Sequence, residues 1–248
     1  MPDSALLYLA GSIAAFLVGL SKGGLGLLGA LGVPILALVI SPVRAAAVLL
    51  PVYVVSDMIG LWMYRRDFSR ENLRLLIPAG TAGIAIGWAT ASYVSDRGVG
   101  LFVGLIGLGF CANTWRLRRR VPAPHRADPV RGIFWGTIMG FTSFVSHSGA
   151  PPFQVFVIPQ RLPKMTYAGT STIVFAVINA LKLIPYAALG QLSAGNLRIA
   201  AVLALPALVG TQIGIGLVRV LPQERYYLVV MMLLLIVSVR LIAKAAGL

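Results

Sequence analysis

The amino-acid sequence predicts an all-α protein that crosses a membrane several times and is built from two homologous halves. Hydrophobic residues make up 58% of the 248 residues and charged residues only 11%, whereas a soluble domain carries about 25% charged residues. The apolar runs are hydrophobic all round rather than on one face, which is typical of membrane spans. Two long apolar runs also carry glycine and proline in mid-run, at corresponding places in the two halves of the chain.

Eight apolar segments follow one another, and most have about the 20 residues that a helix needs to cross the hydrocarbon core. They are residues 5–40, 43–64, 73–94, 98–115, 132–158, 166–189, 197–218 and 226–243. As one straight helix the first would be about 54 Å long, which is too long for a single crossing. We expect the first and fifth segments to be broken helices or re-entrant hairpins, with irregular backbone that lines a cavity or is buried in protein.

The hydrophilic stretch 116–131 divides the chain nearly in half, and the two halves align. Ser21 to Gly24 (SKGG) matches Ser146 to Gly149 (SHSG) at an offset of 125 residues. Further matches follow in the same order: Val33-Pro34 with Ile158-Pro159, Pro42 with Pro163, Ser69 and Asn72-Leu73-Arg74 with Ser193 and Asn196-Leu197-Arg198, Gly83 and Gly87 with Gly210 and Gly214, and Asp96-Arg97 with Glu224-Arg225. This predicts a duplication, with an N-terminal transmembrane repeat at 1–118, a basic cytoplasmic linker at 119–131 and a C-terminal repeat at 132–248. The corresponding interrupted segments of two repeats indicate a transport site.

The net charge of +14 comes from 21 Lys and Arg against 7 Asp and Glu. On a soluble protein it would indicate nucleic-acid binding. Here the basic residues cluster in short gaps between apolar runs, so they indicate cytoplasmic loops beside anionic lipid and no nucleic-acid partner. We expect the loops at 65–74 and 116–131 in the cytoplasm. If the two broken segments each cross once, eight spans result; if each is a two-pass hairpin, ten spans result and the halves are inverted repeats.

Lys22 lies within the first apolar segment, where a charge costs at least about 2.5–3.5 kcal/mol on insertion scales. It is preceded by Ser21 and followed by Gly23 and Gly24. We expect the glycines to let the backbone turn and expose N–H groups, which would cradle an anion beside the ammonium group. The alternative is that Lys22 snorkels or pairs with a buried aspartate.

His147 takes the place equivalent to Lys22 in the second half. Its imidazole can donate to an oxyanion and suits a proton-linked step, although a lone histidine is more often a packing residue. Hydroxyl groups at the start of segment 6 could donate to a ligand or bond the backbone of their own helix. With Lys22 and His147, the predicted substrate-binding set contains Ser21, Gly23, Gly24, Ser146, Ser148, Gly149, Gln154, Thr170 and Ser171.

Asp57 and Asn179 fall at matching depths of segments 2 and 6, and Lys182 lies one turn beyond Asn179. An unpaired buried aspartate is costly, so we expect Lys22, Lys182 or Arg44 as its partner. These residues are predicted to support the site or couple it to protons, and a purely structural ion pair is equally compatible. No spacing of His, Cys and carboxylates fits a metal site and no P-loop occurs, so we expect no metal, no cofactor and no nucleotide-driven motor.

Two stretches carry a resemblance to a known family. GLSKGGLG, with the following VP and SPVRAAAVLLPVYVVSDMIGLWMYR, is similar to the N-terminal half of the sulfite exporter TauE/SafE family. GFTSFVSHSGAPPFQVFVIPQRLPK, with GTSTIVFAVINALKLIPYAALGQ, resembles the second half, so the similarity covers nearly the whole chain. The chain departs from the expected pattern at Ala150, where a second glycine would follow Gly149, and the added methyl group would tighten a cavity there.

The resemblance implies a bacterial inner-membrane transporter of sulfite, sulfoacetate or a related organosulfonate. We expect a secondary carrier, not an enzyme, that exports the anion by alternating access around a midplane site. The expected partners are the lipid bilayer and a small anionic substrate, with proton coupling and a homo-oligomer left open. The alternative is a passive, channel-like permease for another small anion. An intramembrane enzyme using His147 and a serine is disfavoured because no carboxylate in the motif orients the histidine.

Overall fold

The fold is helical throughout the residues that the structure, a computed structural model, describes, namely 4–90, 93, 96–116 and 125–247. Ten α-helices and two 3₁₀ helices lie in these ranges: α1 Ser4–Lys22, a 3₁₀ helix Gly26–Leu31, α2 Gly32–Leu36, α3 Pro42–Tyr64, α4 Arg70–Ala89, α5 Asp96–Arg116, α6 Pro129–Ser146, α7 Ala150–Val157, a 3₁₀ helix Ile158–Gln160, α8 Lys164–Ala188, α9 Ala194–Val220 and α10 Gln223–Ala246. Each of the six unbroken apolar segments of the sequence corresponds to one long helix. Residues 117–124, which include positions 119–124 of the predicted linker, lie outside the described residues.

Both long apolar segments with internal glycine and proline are interrupted. In the first, α1 ends at Lys22 and the chain continues through a 3₁₀ helix into the short α2. In the fifth, α6 ends at Ser146 and α7 begins at Ala150. The interruptions coincide with the SKGG and SHSG stretches, which places the two aligned sequence motifs at helix ends.

Side-chain caps explain where several helices begin. Ser69 accepts a hydrogen bond from the N–H of Asn72 at the start of α4, and Ser193 accepts one from the N–H of Asn196 at the start of α9. Each serine satisfies a backbone donor that has no partner within its helix. The Ser-x-x-Asn match between the two halves is therefore a repeated N-cap.

Five helices in the described ranges are long and apolar enough to cross a membrane. They are Ala5–Lys22, Val43–Tyr64, Lys164–Ala188, Ala194–Val220 and Gln223–Ala246. Helix α9 exposes an apolar stripe at helical spacing: Val202, Leu205, Val209 and Ile213. An apolar stripe that large on the outside of the protein fits a lipid solvent. Helix α4 carries Arg70, Glu71 and Arg74 in its first turns, and α5 has a shorter apolar stretch, Leu101–Ala112.

The chain forms two compact units, each built from two separate stretches. Unit 1 comprises Met1–Phe68 and Ala168–Leu221, and unit 2 comprises Ser69–Tyr167 and Pro222–Leu248. In unit 1, the core lies where α1, α2 and α3 pack with α9, and it includes Ala14, Leu36, Leu49 and Leu203. In unit 2, α4 packs along α6, and α5 packs along α10.

Glycines allow the closest helix contacts within each unit. A Cβ at Gly210 of α9 would clash with the carbonyl oxygen of Phe16 in α1. A Cβ at Gly83 of α4 would clash with the carbonyl oxygen of Thr137 in α6. Because helices associate in lipid through close packing rather than through hydrophobic burial, small residues at such contacts are favoured. The aligned Gly-x-x-x-Gly motifs at 83/87 and 210/214 therefore both allow two helices to pack closely.

The compact units do not coincide with the two sequence halves. Helices α1 and α6 are the first segments of their halves, and each packs against the third segment of the other half: α1 against α9 in unit 1, and α6 against α4 in unit 2. Such a reciprocal exchange is what intertwined repeats would produce. The division into repeats at 1–118 and 132–248 describes a similarity between two stretches of sequence, and it stays a prediction.

Candidate functional site

The first interruption turns the chain at a glycine that no other residue would replace easily. Gly24 has φ +121°, a conformation that L side chains rarely adopt. The hydroxyl of Tyr64 donates to the carbonyl oxygen of Gly23 at 2.6 Å, and the hydroxyl of Tyr53 donates to the carbonyl oxygen of Gly29 at 2.7 Å. Two tyrosines of α3 therefore fix the backbone on both sides of the turn.

The backbone N–H groups of this turn are already engaged. The N–H of Gly23 donates to the carbonyl oxygen of Gly19 at 3.0 Å, and that of Gly24 donates to Ser21 at 3.1 Å. The sequence predicts exposed N–H groups that cradle an anion, and the structure instead uses both to close the end of α1. Because these donors are occupied, an anion at this turn would be held by side chains.

Lys22 forms a buried ion pair with Asp57 of α3. The Lys22 Nζ lies 2.9 Å from Asp57 Oδ1, and the two side chains are 6% and 1% exposed. The second carboxylate oxygen, Oδ2, accepts a hydrogen bond from the side-chain amide of Asn179 in α8 at 2.8 Å. Lys22, one of the three cations that the sequence offers Asp57, is in direct contact with it. Asp57 and Asn179, which occupy equivalent depths of the two halves, touch each other.

A second lysine lies near this pair. Lys182, one turn beyond Asn179, is 1% exposed, and it interacts electrostatically with both Lys22 and Asp57. We call Lys22, Asp57, Asn179 and Lys182 the charge cluster.

Aromatic rings and hydroxyl groups surround Lys22. Its Nζ lies 5.1 Å from the centroid of the Tyr53 ring and 5.8 Å from that of Phe175, a geometry that stabilises an ammonium group. The hydroxyl of Thr172 donates to the carbonyl oxygen of Lys22 at 3.3 Å. Sequence reasoning did not select Tyr53, Tyr64 or Phe175, although Tyr53 lies one helical turn before Asp57 and so shares its face of α3.

The predicted hydroxyl donors of unit 1 lie beside the same turn. Ser21, Thr170 and Ser171 are all buried. A Cβ at Gly26 would lie 3.0 Å from Ser171 Oγ, and one at Gly29 would lie 2.7 Å from Ser21 Oγ. Both hydroxyl groups therefore contact the chain just after the interruption.

Arg44 lies apart from the charge cluster. It is exposed, and its Nε donates to Asn196 Oδ1 at 3.2 Å. This contact links the start of α3 to the start of α9. Arg44 therefore does not act as the partner of Asp57.

The second interruption lies in unit 2 and turns at a histidine. His147 has φ 53°, in the left-handed region that non-glycine residues adopt only at a cost. Its N–H donates to the carbonyl oxygen of Ser143 at 3.2 Å, and the N–H of Ser148 donates to Thr142 at 3.2 Å. These bonds close the end of α6. A residue held in this conformation at a helix break is a candidate for function as well as for capping.

Side chains with hydrogen-bonding groups are buried around this turn. His147 is 9% exposed, and Ser148 and Gln154 are 1% and 2% exposed. Gln154 Oε1 has no hydrogen-bond partner within the described part of the chain. Gly149 accepts a hydrogen bond through its carbonyl oxygen from the N–H of Phe153 at 3.3 Å. Ser146 ends α6, and its side chain lies outside the described residues.

The predicted site residues thus fall into two groups, one in each unit. Lys22, Asp57 and Asn179 make direct contacts in unit 1, whereas His147, Ser148 and Gln154 belong to unit 2. The sharing of one substrate by Lys22 and His147 stays a prediction. Among the side chains described, no group of three or more His, Cys, Asp or Glu is placed to hold a metal ion.

Comparison with protein families gives a match over most of the chain. A family model described as "Sulfite exporter TauE/SafE" matches residues 11–241. The match spans both interruptions and nearly every helix, and it confirms the resemblance seen in the sequence. Comparison with curated proteins and with solved structures gives no significant match.

Proposed function

We propose that this chain, which belongs to the sulfite exporter TauE/SafE family, is a secondary transporter that moves a small sulfur-containing anion across the bacterial inner membrane. The family is one of membrane transporters for sulfur anions, and the apolar helices fit a multi-pass membrane protein. The substrate that we propose is sulfite, sulfoacetate or a related organosulfonate, and the direction is export.

The charge cluster is the observation that carries this proposal. A membrane protein places charged side chains at depth only at considerable cost, and such residues usually mark a substrate or proton path. One ion pair would suffice for a structural role. The cluster also holds a second buried lysine, Lys182, which the Lys22–Asp57 pair does not require. Its amine would donate a hydrogen bond to an anion bound at the cluster.

Asp57 gives the cluster a route to proton coupling. Its Oδ1 lies 2.9 Å from the Lys22 Nζ. A substrate anion and the carboxylate would therefore compete for the same ammonium group. A proton on Asp57 removes that competition and leaves Lys22 to bind the anion. Asn179, whose amide donates to Oδ2 at 2.8 Å, keeps the carboxyl group in place in both states. Anion and proton would then bind together.

The neighbouring hydroxyl groups supply neutral donors to the same anion. Ser21 and Ser171 contact the chain just after the turn, and Thr170 is fully buried one residue before Ser171. In the second half, His147, Ser148 and Gln154 would contribute donors when the carrier closes around its substrate. Alternating access at the two interrupted segments would expose the site to one side of the membrane at a time.

Sulfite flux into proteoliposomes tests the role of the second lysine. The Lys182→Met variant keeps the Lys22–Asp57 pair, so we expect it to fold and to bind sulfite at least about tenfold more weakly, since a hydrogen bond to a charged group is worth about 1.5–3 kcal/mol. The matched control is Lys244→Met, which removes an exposed lysine near the end of α10 and should leave the flux unchanged. Equal flux in both variants would refute the assignment of Lys182.

Counterflow separates a carrier from a passive conductor. A carrier returns faster when loaded, so sulfite inside the vesicle should accelerate the entry of labelled sulfite. A channel-like permease shows no such trans-stimulation. A flux that does not respond to internal sulfite would contradict the carrier and support a channel-like permease.

A further inference from the structure

A cavity in unit 2 lies where α6 begins, and its lining does not include the break between α6 and α7. Its volume is about 610 Å³, which is within the range of small-molecule sites. Residues from the chain before α6, the first turns of α6 and the end of α7 line it, among them His125, Arg126, Arg131, Trp135 and Gln160. The transport proposal uses none of them.

The rim of the cavity is basic. His125, Arg126 and Arg131 are exposed at its edge. The one carboxylate in the lining, Asp128, is engaged as the N-cap of α6, where its Oδ1 accepts the N–H of Arg131 at 2.7 Å. Two guanidinium groups and an imidazole therefore face a single capping carboxylate, a balance that favours an anionic ligand.

Gln160, which also lines the cavity, has its side-chain amide fixed by hydrogen bonds. Gln160 Nε2 donates to Asn72 Oδ1 at 3.0 Å, and Asn72 Nδ2 donates back to Gln160 Oε1 at 2.8 Å. Gln160 Nε2 also donates to the carbonyl oxygen of Phe156 at 3.2 Å. With both polar ends of this amide engaged, recognition of an anion falls to the basic rim. Trp135 and Phe156 supply apolar walls.

An apolar surface continues from the cavity along α6. Val130 and Phe134, one turn apart, are 77% and 58% exposed. They lie on the face of α6 next to the one that carries Arg131 and Trp135. A ligand with an anionic head and an apolar tail would satisfy the basic rim and this exposed surface at the same time.

We propose that the cavity binds an anionic phospholipid, with Arg126 and Arg131 on its phosphate group and its acyl chains along Val130 and Phe134. The site lies at the start of α6 next to the basic linker, and basic segments of this kind attract anionic lipid headgroups. The binding is local, because it depends on two arginines at a cavity rather than on the total charge of the cytoplasmic face. It is independent of the proposed transport function.

Native mass spectrometry of the detergent-purified protein tests the site, since no lipid surface is then present to attract the basic face as a whole. Phosphatidylglycerol and phosphatidylcholine are titrated separately. We expect tighter binding of phosphatidylglycerol and a loss of about 25-fold in the Arg126→Gln/Arg131→Gln variant, because each basic group near anionic lipid strengthens binding about fivefold. Both side chains are exposed, so the variant should keep its melting temperature; Arg131→Gln alone should lose about fivefold.

The matched control is Arg66→Gln/Arg70→Gln, which removes the same charge from another exposed basic stretch and should change binding by no more than about twofold. Equal losses in the two double variants would overturn the proposal in favour of delocalised attraction. Glycerol 3-phosphate carries the phosphate without acyl chains and should not displace the lipid at equal concentration. Displacement by it would assign the cavity to a soluble phosphate instead.

Discussion

The two interruptions, after α1 and after α6, arise from aligned sequence motifs but are stabilised in different ways. The first turns at Gly24 and carries a buried ion pair between Lys22 and Asp57. The second turns at His147 in a left-handed conformation and is surrounded by buried hydroxyl and amide side chains. Both breaks turn at a residue with positive φ, but charged side chains pair at the first and buried hydroxyl and amide side chains surround the second. Two helix breaks at aligned sequence motifs can thus carry different side-chain chemistry.

The two interruptions should differ most in the free energy of unfolding that is lost when Lys22 or His147 is replaced. Lys22→Met leaves Asp57 buried without its cation, which costs about 3–5 kcal/mol. His147→Asn keeps a residue that tolerates the left-handed region and should cost about 1 kcal/mol. Unfolding of the two purified variants in detergent measures both costs. Equal costs would show that the first interruption does not depend on the ion pair.

Substitutions at the turn residues Gly24 and His147 should change the free energy of unfolding by different amounts. Gly24→Ala combines φ +121° with a Cβ 2.7 Å from Val218 Cγ2, and it should cost about 1–3 kcal/mol. His147→Gly removes the cost of a left-handed non-glycine residue, which offsets the lost imidazole contacts, so its net effect should stay below about 1 kcal/mol. Melting temperatures rank the two variants. A more stable Gly24→Ala protein would contradict the turn geometry.

Substitutions at the glycine contacts, in contrast, should lower the free energy of unfolding by similar amounts in the two units. Gly83→Ala in unit 2 and Gly210→Ala in unit 1 each place a methyl group against a carbonyl oxygen of the packed helix, and each should cost about 1–3 kcal/mol. Gly216→Ala is the control, because no atom of the described residues outside its own helical turn lies within 4 Å of its Cβ position. Parallel losses at 83 and 210 support a shared packing of the repeats, and a loss at only one of them argues against it.

The smallest effect should come from the exposed cation of unit 1. Arg44→Gln removes a surface contact with Asn196 and should change the free energy of unfolding by no more than about 0.5 kcal/mol. Sulfite flux should also stay at the wild-type value. A large loss of flux in this variant would show that Arg44 takes part in transport despite its distance from the charge cluster.

The sequence predicts much of this architecture because the relevant signals are local. Glycine and proline within apolar runs indicate where the first and fifth segments break, and a serine before Asn72 or Asn196 indicates a helix start. The position of Lys22 inside an apolar run predicts a site with unusual chemistry. The family was also recognisable from the two motif stretches, and the match over residues 11–241 confirms it.

The remaining features depend on how helices rotate and pack, which no local pattern encodes. Lys22, Lys182 and Arg44 are equivalent as candidate partners of Asp57 until α1 and α3 are placed side by side. The backbone N–H groups of Gly23 and Gly24 look available in the sequence, but they are used to close α1. The compact units mix helices from both halves, and only tertiary contacts reveal such an exchange.

The central claim is that Lys22 binds the transported anion rather than only neutralising Asp57. Sulfite flux in proteoliposomes, measured for Asp57→Asn and for Lys22→Met/Asp57→Asn, separates these roles, because neither variant leaves an unpaired buried carboxylate. We predict that Asp57→Asn still transports sulfite and that the double variant does not transport it. Equal sulfite flux in the two variants would contradict the claim and reduce Lys22 to a structural partner of Asp57.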